Sequence, residues 1–150
     1  MLTIHTADEV RTGPGADPVE GGAVAVEGDR IAAVGPLAEL TARFPAARVR
    51  SWPGVLGPAL VHDGPVPDAP SPRERIHAVL KAGAAAVLEQ HVDSPALRAA
   101  AERNDVLVLA SRTAPRPALV PAGRADLAVF DGTGACIATV CAGRLVHRRR

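Results

Sequence analysis

Two proline-rich stretches, Gly64–Pro72 (GPVPDAPSP) and Ala114–Pro121, cut the chain into three parts of different character. Proline lacks an N–H and fixes φ, so such stretches run extended as linkers and cannot sit inside a helix or a central strand. Outside the linkers the chain is a series of short β-type runs punctuated by Gly turns. Between them it reads helix, strand, helix, strand. The fold class expected is therefore α+β.

The N-terminal part opens with a short β-type run, Leu2–His5, and an exposed loop, Thr12–Pro18. Ala23–Glu27 and Arg30–Val34 then form a hairpin about Gly28-Asp29, a pair suited to a II′ turn because Gly tolerates positive φ at the first position. Val24, Val26, Ile31 and Ala33 are expected on its buried face. Pro36–Phe44 reads as a short helix with Leu37, Leu40 and Phe44 at helical spacing, stopped by Pro45. Arg48–Trp52 and Val55–Val61 read as extended segments broken at Pro53-Gly54.

In the middle part, Ser71-Pro72-Arg73-Glu74 is a capping box with Pro at the first helical position, and Ile76, Val79 and Leu80 give that helix its buried stripe. Ala84–Leu88 and Val106–Ala110 are apolar strands around a helix opened by Ser94-Pro95 and ended near Asn104. Continuous apolar strands alternating with helices imply a parallel pair covered by helices. Asp126–Phe130, Cys136–Cys141 and Arg144–Arg148 make a closing β-meander.

At 150 residues the chain suffices for one ordinary domain. With Phe44, Phe130 and Trp52 as its only aromatics, the core must be built from Val, Leu, Ile and Ala, and stacking platforms for single-stranded nucleic acid are missing. A net charge of +1 gives no field for DNA, and the run Arg148-Arg149-Arg150 is expected to be a solvated, frayed tail. No basic segment followed by an apolar stretch opens the chain, and no apolar run reaches the ~18 residues of a membrane span, so the protein is expected to be soluble and cytoplasmic. Cys136 and Cys141, five apart in one strand, should face opposite ways as buried structural thiols.

Three stretches carry a family resemblance. VEGDRIAAVGPLAELTARFP resembles the hairpin and short helix of imidazolonepropionase-like and aminodeoxyfutalosine-deaminase-like amidohydrolases; GRADLAVFD resembles the start of their C-terminal return; CAGRLVHR resembles their last hairpin. In that superfamily the two chain ends pack into a composite β-sandwich beside a metal-bearing (β/α)8 barrel. The resemblance thus implies that Gly22–Val61 pairs with Asp126–Arg148. It implies residues 1–64 and 121–150 as the composite sandwich, with 65–120 inserted as a small α/β unit. That insert, ERIHAVLKAGAAAVLEQHVDSPALRAAAERNDVLVLAS, resembles the first helix and second strand of the barrel with the helix that follows. A whole barrel typically needs about 250 residues, so only a remnant fits.

The family ends its first barrel strand in His-x-His, two imidazoles that can share one divalent metal. Here the corresponding run is Pro58-Ala59-Leu60-Val61-His62-Asp63-Gly64-Pro65, and aligned on Pro58–Val61 the first metal histidine falls on Gly64. No His lies between Val92 and Val146 to supply later ligands, and Asp126 and Asp131 belong to the return motif. The departure implies no inherited metal, no catalytic residue and no cofactor.

Remaining candidates for a polar ligand site are His62 and Asp63, at a strand end, and His91 and Asp93, which follow the strand Ala84–Leu88 where α/β units place functional groups. Each pair has a plain structural alternative: local backbone hydrogen bonding for His62-Asp63, and capping of the next helix by Asp93 or Ser94. His5 and His147 read as satisfied strand residues and His77 as surface. Ser71 and Ser111 lack a nucleophile elbow, and neither GPGADP nor GTGAC makes a phosphate loop. The leading expectation is an amidohydrolase-like protein that has lost metal-dependent hydrolysis and acts as a binding or interaction module, as a homo-oligomer or on a partner enzyme. The alternative is a minimal zinc-dependent hydrolase or deaminase acting on a non-peptide C–N bond of a cyclic substrate through His62, Asp63, His91 and Asp93. A third reading is a subunit whose neighbour supplies the barrel.

Overall fold

The computed structural model describes residues 2–111 and 118–149. The N-terminal part forms β1 (Leu2–Val10), β2 (Val19–Glu20), β3 (Gly22–Glu27), β4 (Arg30–Pro36), α1 (Leu37–Arg43) and β5 (Arg48–Pro58). The middle forms β6 (Leu60–His62), α2 (Pro72–Lys81), β7 (Ala84–Leu88), a 3-10 turn (Glu89–His91), α3 (Pro95–Arg103) and β8 (Leu107–Leu109). The C-terminal part forms β9 (Leu127–Phe130), β10 (Cys136–Cys141) and β11 (Arg144–Arg148). Of the linker expected at Ala114–Pro121, the first half, 114–117, lies outside the described residues.

The two ends meet in one sheet of order β11-β10-β9-β5-β1-β3-β4, with β2 beside β1. Its seam is the antiparallel pair β5–β9, where Val55 faces Phe130, Leu56 faces Val129 and Pro58 faces Leu127. This is the pairing that the resemblance implied. The sheet then curls over its own inner face. Ile31 N–H donates to Gly123 O (2.8 Å) and Ala122 N–H donates to Ile31 O (2.8 Å), tying the start of β4 to the lead-in of β9. Val24, Val26 and Ile31 from one half therefore share a core with Leu127, Val129, Ile137 and Val140 from the other. On the outer face, α1 lays Leu40 over Ile4, Ala23 and Ala25.

Local irregularities correct three expectations drawn from strict alternation. A shift of register in β3–β4 after Ala25 sends Ala33 to the outer face, while Val34 joins Ile31 inside. A shift between Cys136 and Ala138 in β10 turns both cysteines to the same, outer side. Cys141 packs among α2 and α3 residues, and Cys136 Sγ lies 3.3 Å from Thr139 Oγ1, which donates to Leu80 O of α2. Both thiols are free. Pro53-Gly54 does not end β5, because the backbone bulges against β1 there and pairing resumes at Val55. The strand breaks instead at Ala59, where the chain leaves the large sheet for the small one.

The small sheet is parallel, of order β6-β7-β8. Every residue of β7 is buried, as a central parallel strand requires. Ser71 Oγ accepts from Glu74 N–H (3.2 Å) and Ser94 Oγ accepts from Leu97 N–H (3.1 Å), so both helices begin where their caps predict. Ile76, Val79, Leu80, Leu97, Ala100 and Ala101 pack with Val87 and with Ala128 and Cys141 of the large sheet. The end of the chain is not frayed at Arg148 and Arg149: Arg148 stacks over Trp52 and Arg149 pairs with Asp131 (2.9 Å). Among the described residues, no helix is long and apolar enough to cross a membrane.

Candidate functional site

The passage from β5 to β6 is held by the main chain of Asp126, the residue before β9, whose buried carboxylate is itself tied down. Ala59 N–H donates to Asp126 O (3.0 Å), and Asp126 Oδ1 accepts from Arg124 Nε (3.0 Å) and Ala142 N–H (2.8 Å). Arg124 also donates to Asp105 O and to Cys141 Sγ. Burial alone would pull the Arg124 guanidinium down, but Asp126 and the Cys141 sulfur hold it above its ordinary value. Burial and the Asp126 charge push the Cys141 thiol up to about 11, which leaves it protonated and unreactive. Asp126 is thus a structural anchor of the crossing. Asp131 is likewise spent on its own turn, accepting from Thr133 Oγ1, Thr133 N–H and Ala135 N–H, which lower it to about 2.

Beyond the crossing, β6 ends at His62. Its Nε2 lies 2.9 Å from Pro65 O, and because a carbonyl only accepts, Nε2 carries the proton and donates. Asp63 is exposed and lines a cleft. His91 stands in the turn after β7 with Nε2 3.2 Å from Gln90 Nε2. Asp93 accepts from Arg75 Nη1 (3.1 and 3.3 Å), while Ser94 rather than Asp93 caps α3. Of the four expected polar residues, Asp63 alone reaches the cleft. Among the described residues, no group of three or more His, Cys, Asp or Glu side chains is arranged to hold a metal ion.

The cleft, about 410 Å³, opens where the small sheet leans against the outer face of the large one. Val55, Gly57 and Phe130 form one wall, Leu60, Val61 and Leu109 the other, with Arg11 and Asp63 among its polar contributors. Its size falls in the range of ordinary small-molecule pockets, roughly 300–1,000 Å³. Arg11 shares its charge with Glu9 at 3.3 Å. Arg11, Leu109 and Phe130 are site residues that a reading of strand ends misses. Their common signal is weak, since they meet only through the β5–β9 seam and the parallel register of β7 with β8.

An α+β chain whose ends make one curled sheet, with a short run of parallel strands between them, shares the fold of part of amidohydrolase-superfamily deaminases. Residues 22–47 match the family model described as imidazolonepropionase-like composite domain, bacteria. These residues are the β3–β4 hairpin and α1. No curated protein matches the chain by sequence. Among solved structures, it is similar to an adenosine deaminase from Xanthomonas campestris with bound zinc (24% identity, TM-score 0.53, 67% of this chain and 31% of that one). It is also similar to E. coli guanine deaminase (18%, 0.52, 69% and 34%) and to A. niger ochratoxinase (18%, 0.52, 72% and 30%). The chain thus spans about a third of the length of these proteins. The likeness is one of fold. At the β6 end His62 gives its Nε2–H to Pro65 O, Gly64 carries no ligating side chain, and Asp93 pairs with Arg75.

Proposed function

We propose that this chain is an amidohydrolase-like module that binds rather than hydrolyses, associating with a second copy of itself through the small sheet. The observation that carries the reading is the state of that sheet. Among the described residues β6 and β8 each pair only with β7, and Leu60 and Leu107 on them are 50% and 37% exposed. Strand edges that in a whole barrel would be paired are templates for another chain. In this reading residues 1–64 and 121–150 are the scaffold and 65–120 the insert, with β6 contributed to the insert's sheet.

Support for lost hydrolysis comes from the strand end. The superfamily's metal-assisted activation of water needs a metal held by several side chains, and His62, His91 and Asp93 hydrogen-bond instead to Pro65 O, Gln90 and Arg75. The function proposed is therefore recognition, in the cytoplasm, without nucleic acid, membrane or cofactor.

Sedimentation of the purified chain across a concentration series tests the association, with a dimer or higher species expected and its loss on Leu60→Glu. A monomer at every concentration would remove this reading in favour of a different partner protein. Zinc analysis tests the chemistry. Stoichiometric zinc, lost on His62→Ala or His91→Ala, would favour the alternative of a minimal deaminase or hydrolase acting on a C–N bond of a cyclic substrate.

A further inference from the structure

The curled sheet has a second, smaller cavity where the β3–β4 turn meets the β10–β11 turn. It measures about 140 Å³ and is lined in part by Thr3, His5, Arg50, Gly28 and Gly143. Here β1 runs parallel to β5, with Thr3 opposite Arg48, His5 opposite Arg50 and Ala7 opposite Trp52. The two-residue period puts Thr3, His5, Arg48, Arg50 and Trp52 on the inner face together. Arg148, opposite Ala138 of the core, adds a third guanidinium 5.5 Å from the Trp52 ring. The inner face is thus apolar through its core and cationic at this mouth.

The chemistry of the mouth is one-sided. Trp52 Nε1–H donates to His5 Nδ1 (3.3 Å), and since an indole nitrogen only donates, the His5 proton sits on Nε2. His5 is 3% exposed, and burial with the Arg50 charge lowers it to about 4, so at neutral pH it is an uncharged donor. Arg48, Arg50 and Arg148 make no ion pair among the described residues, whereas Asp29 on the rim turn is already beside Arg30 at 3.7 Å. Three like charges gathered around hydrogen-bond donors, without a carboxylate among them, match the pattern that recognises oxyanions.

We propose that this mouth binds a phosphate-type oxyanion, with Arg50, Thr3 and His5 forming the pocket and Arg48 and Arg148 beside it. The volume lies below that of pockets for whole small molecules, so the site takes a charged group and leaves the remainder of any larger ligand outside. A planar guanidinium gives paired donors to two oxygens, and the neutral His5 ring adds a donor without adding charge.

Trp52 is the only tryptophan in the chain and touches both His5 and Arg148, so its emission reports on the site. Inorganic phosphate titrated into the full chain at constant ionic strength should change that emission to saturation. Arg50→Gln should weaken the apparent affinity by about tenfold or more, and Arg73→Gln, on the exposed side of α2, should leave it unchanged. Circular dichroism checks each variant's fold, and Arg48→Gln stands in if Arg50→Gln does not fold. Acetate is run in parallel: saturation by acetate but not phosphate would overturn the phosphate assignment in favour of a carboxylate. A non-saturating drift, or one equal in wild type and Arg50→Gln, would overturn the site.

Discussion

The large sheet and the small sheet solve the same problem unequally. In the large one, the first and last parts of the chain pair at the β5–β9 seam, and the curl returns β4 to residues 122–124. Nearly every apolar side chain on its inner face then finds a partner from the opposite half. The small sheet has a fully buried central strand but gains its cover from two helices on one side. A curled sheet encloses a core with its own strands, while a short open parallel sheet leaves strand edges that, among the described residues, no other strand pairs.

The most damaging way to break this contrast is at the closure of the curl. Gly143 has φ +80°, and a Cβ there would lie 1.8 Å from Gly28 O, a contact between two backbones that cannot give. Gly143→Ala is expected to cost about 4 kcal/mol in denaturant unfolding. If helical signal from α2 and α3 disappears in the same transition, the small sheet depends on the large one for its stability.

Next comes the junction. Asp126→Asn leaves the partly buried Arg124 without its counter-charge and is expected to cost about 3 kcal/mol. The same variant should lower the Cys141 thiol, since Asp126 is one cause of its elevation, and faster alkylation of Cys141 would show it.

A comparable effect is expected from acid, and it belongs to the large sheet alone. His5 titrates at about 4 in the folded chain against an ordinary 6.5, so on acidification the unfolded chain takes up the proton first. Stability is then full above about pH 6.5 and falls as pH drops toward 4, by about 3 kcal/mol in total. His5→Gln should flatten that slope in denaturant midpoints measured across the window. An unchanged slope would show that His5 is not its source.

The smallest effect sharpens the comparison from the other side. Ser94→Ala removes the α3 cap and is expected to cost about 1 kcal/mol. A single shared transition in thermal unfolding would show that the two sheets melt together, whereas an early partial loss of helix would show that the small unit opens first.

Much of the architecture is legible in residue order. Ser71-Pro72 and Ser94-Pro95 announce both long helices, Gly28-Asp29 sets its hairpin with Gly28 at φ +61°, and Ala84–Leu88 reads directly as a buried central strand. The site is far less legible. His62, Asp63, His91 and Asp93 are marked by position at strand ends, yet His62, His91 and Asp93 hydrogen-bond to Pro65 O, Gln90 and Arg75, partners that the order of residues does not announce. His5 reads as one more strand histidine until Trp52, 47 residues away, is placed against it. The run Arg48-x-Arg50-x-Trp52 does carry a signal, since its period puts two guanidiniums and an indole on one face.

By itself, then, the sequence determined most of the elements, the caps of α2 and α3 and the strand end without a His-x-His pair, because these follow from backbone preferences and side-chain identity over a few neighbouring residues. The tertiary structure alone decided where β5 gives way to β6, which face each cysteine takes, and that three arginines and a buried histidine share one mouth. Those outcomes depend on bulges and on strand partners far apart in the chain, and a one-residue change of register reverses every side chain beyond it.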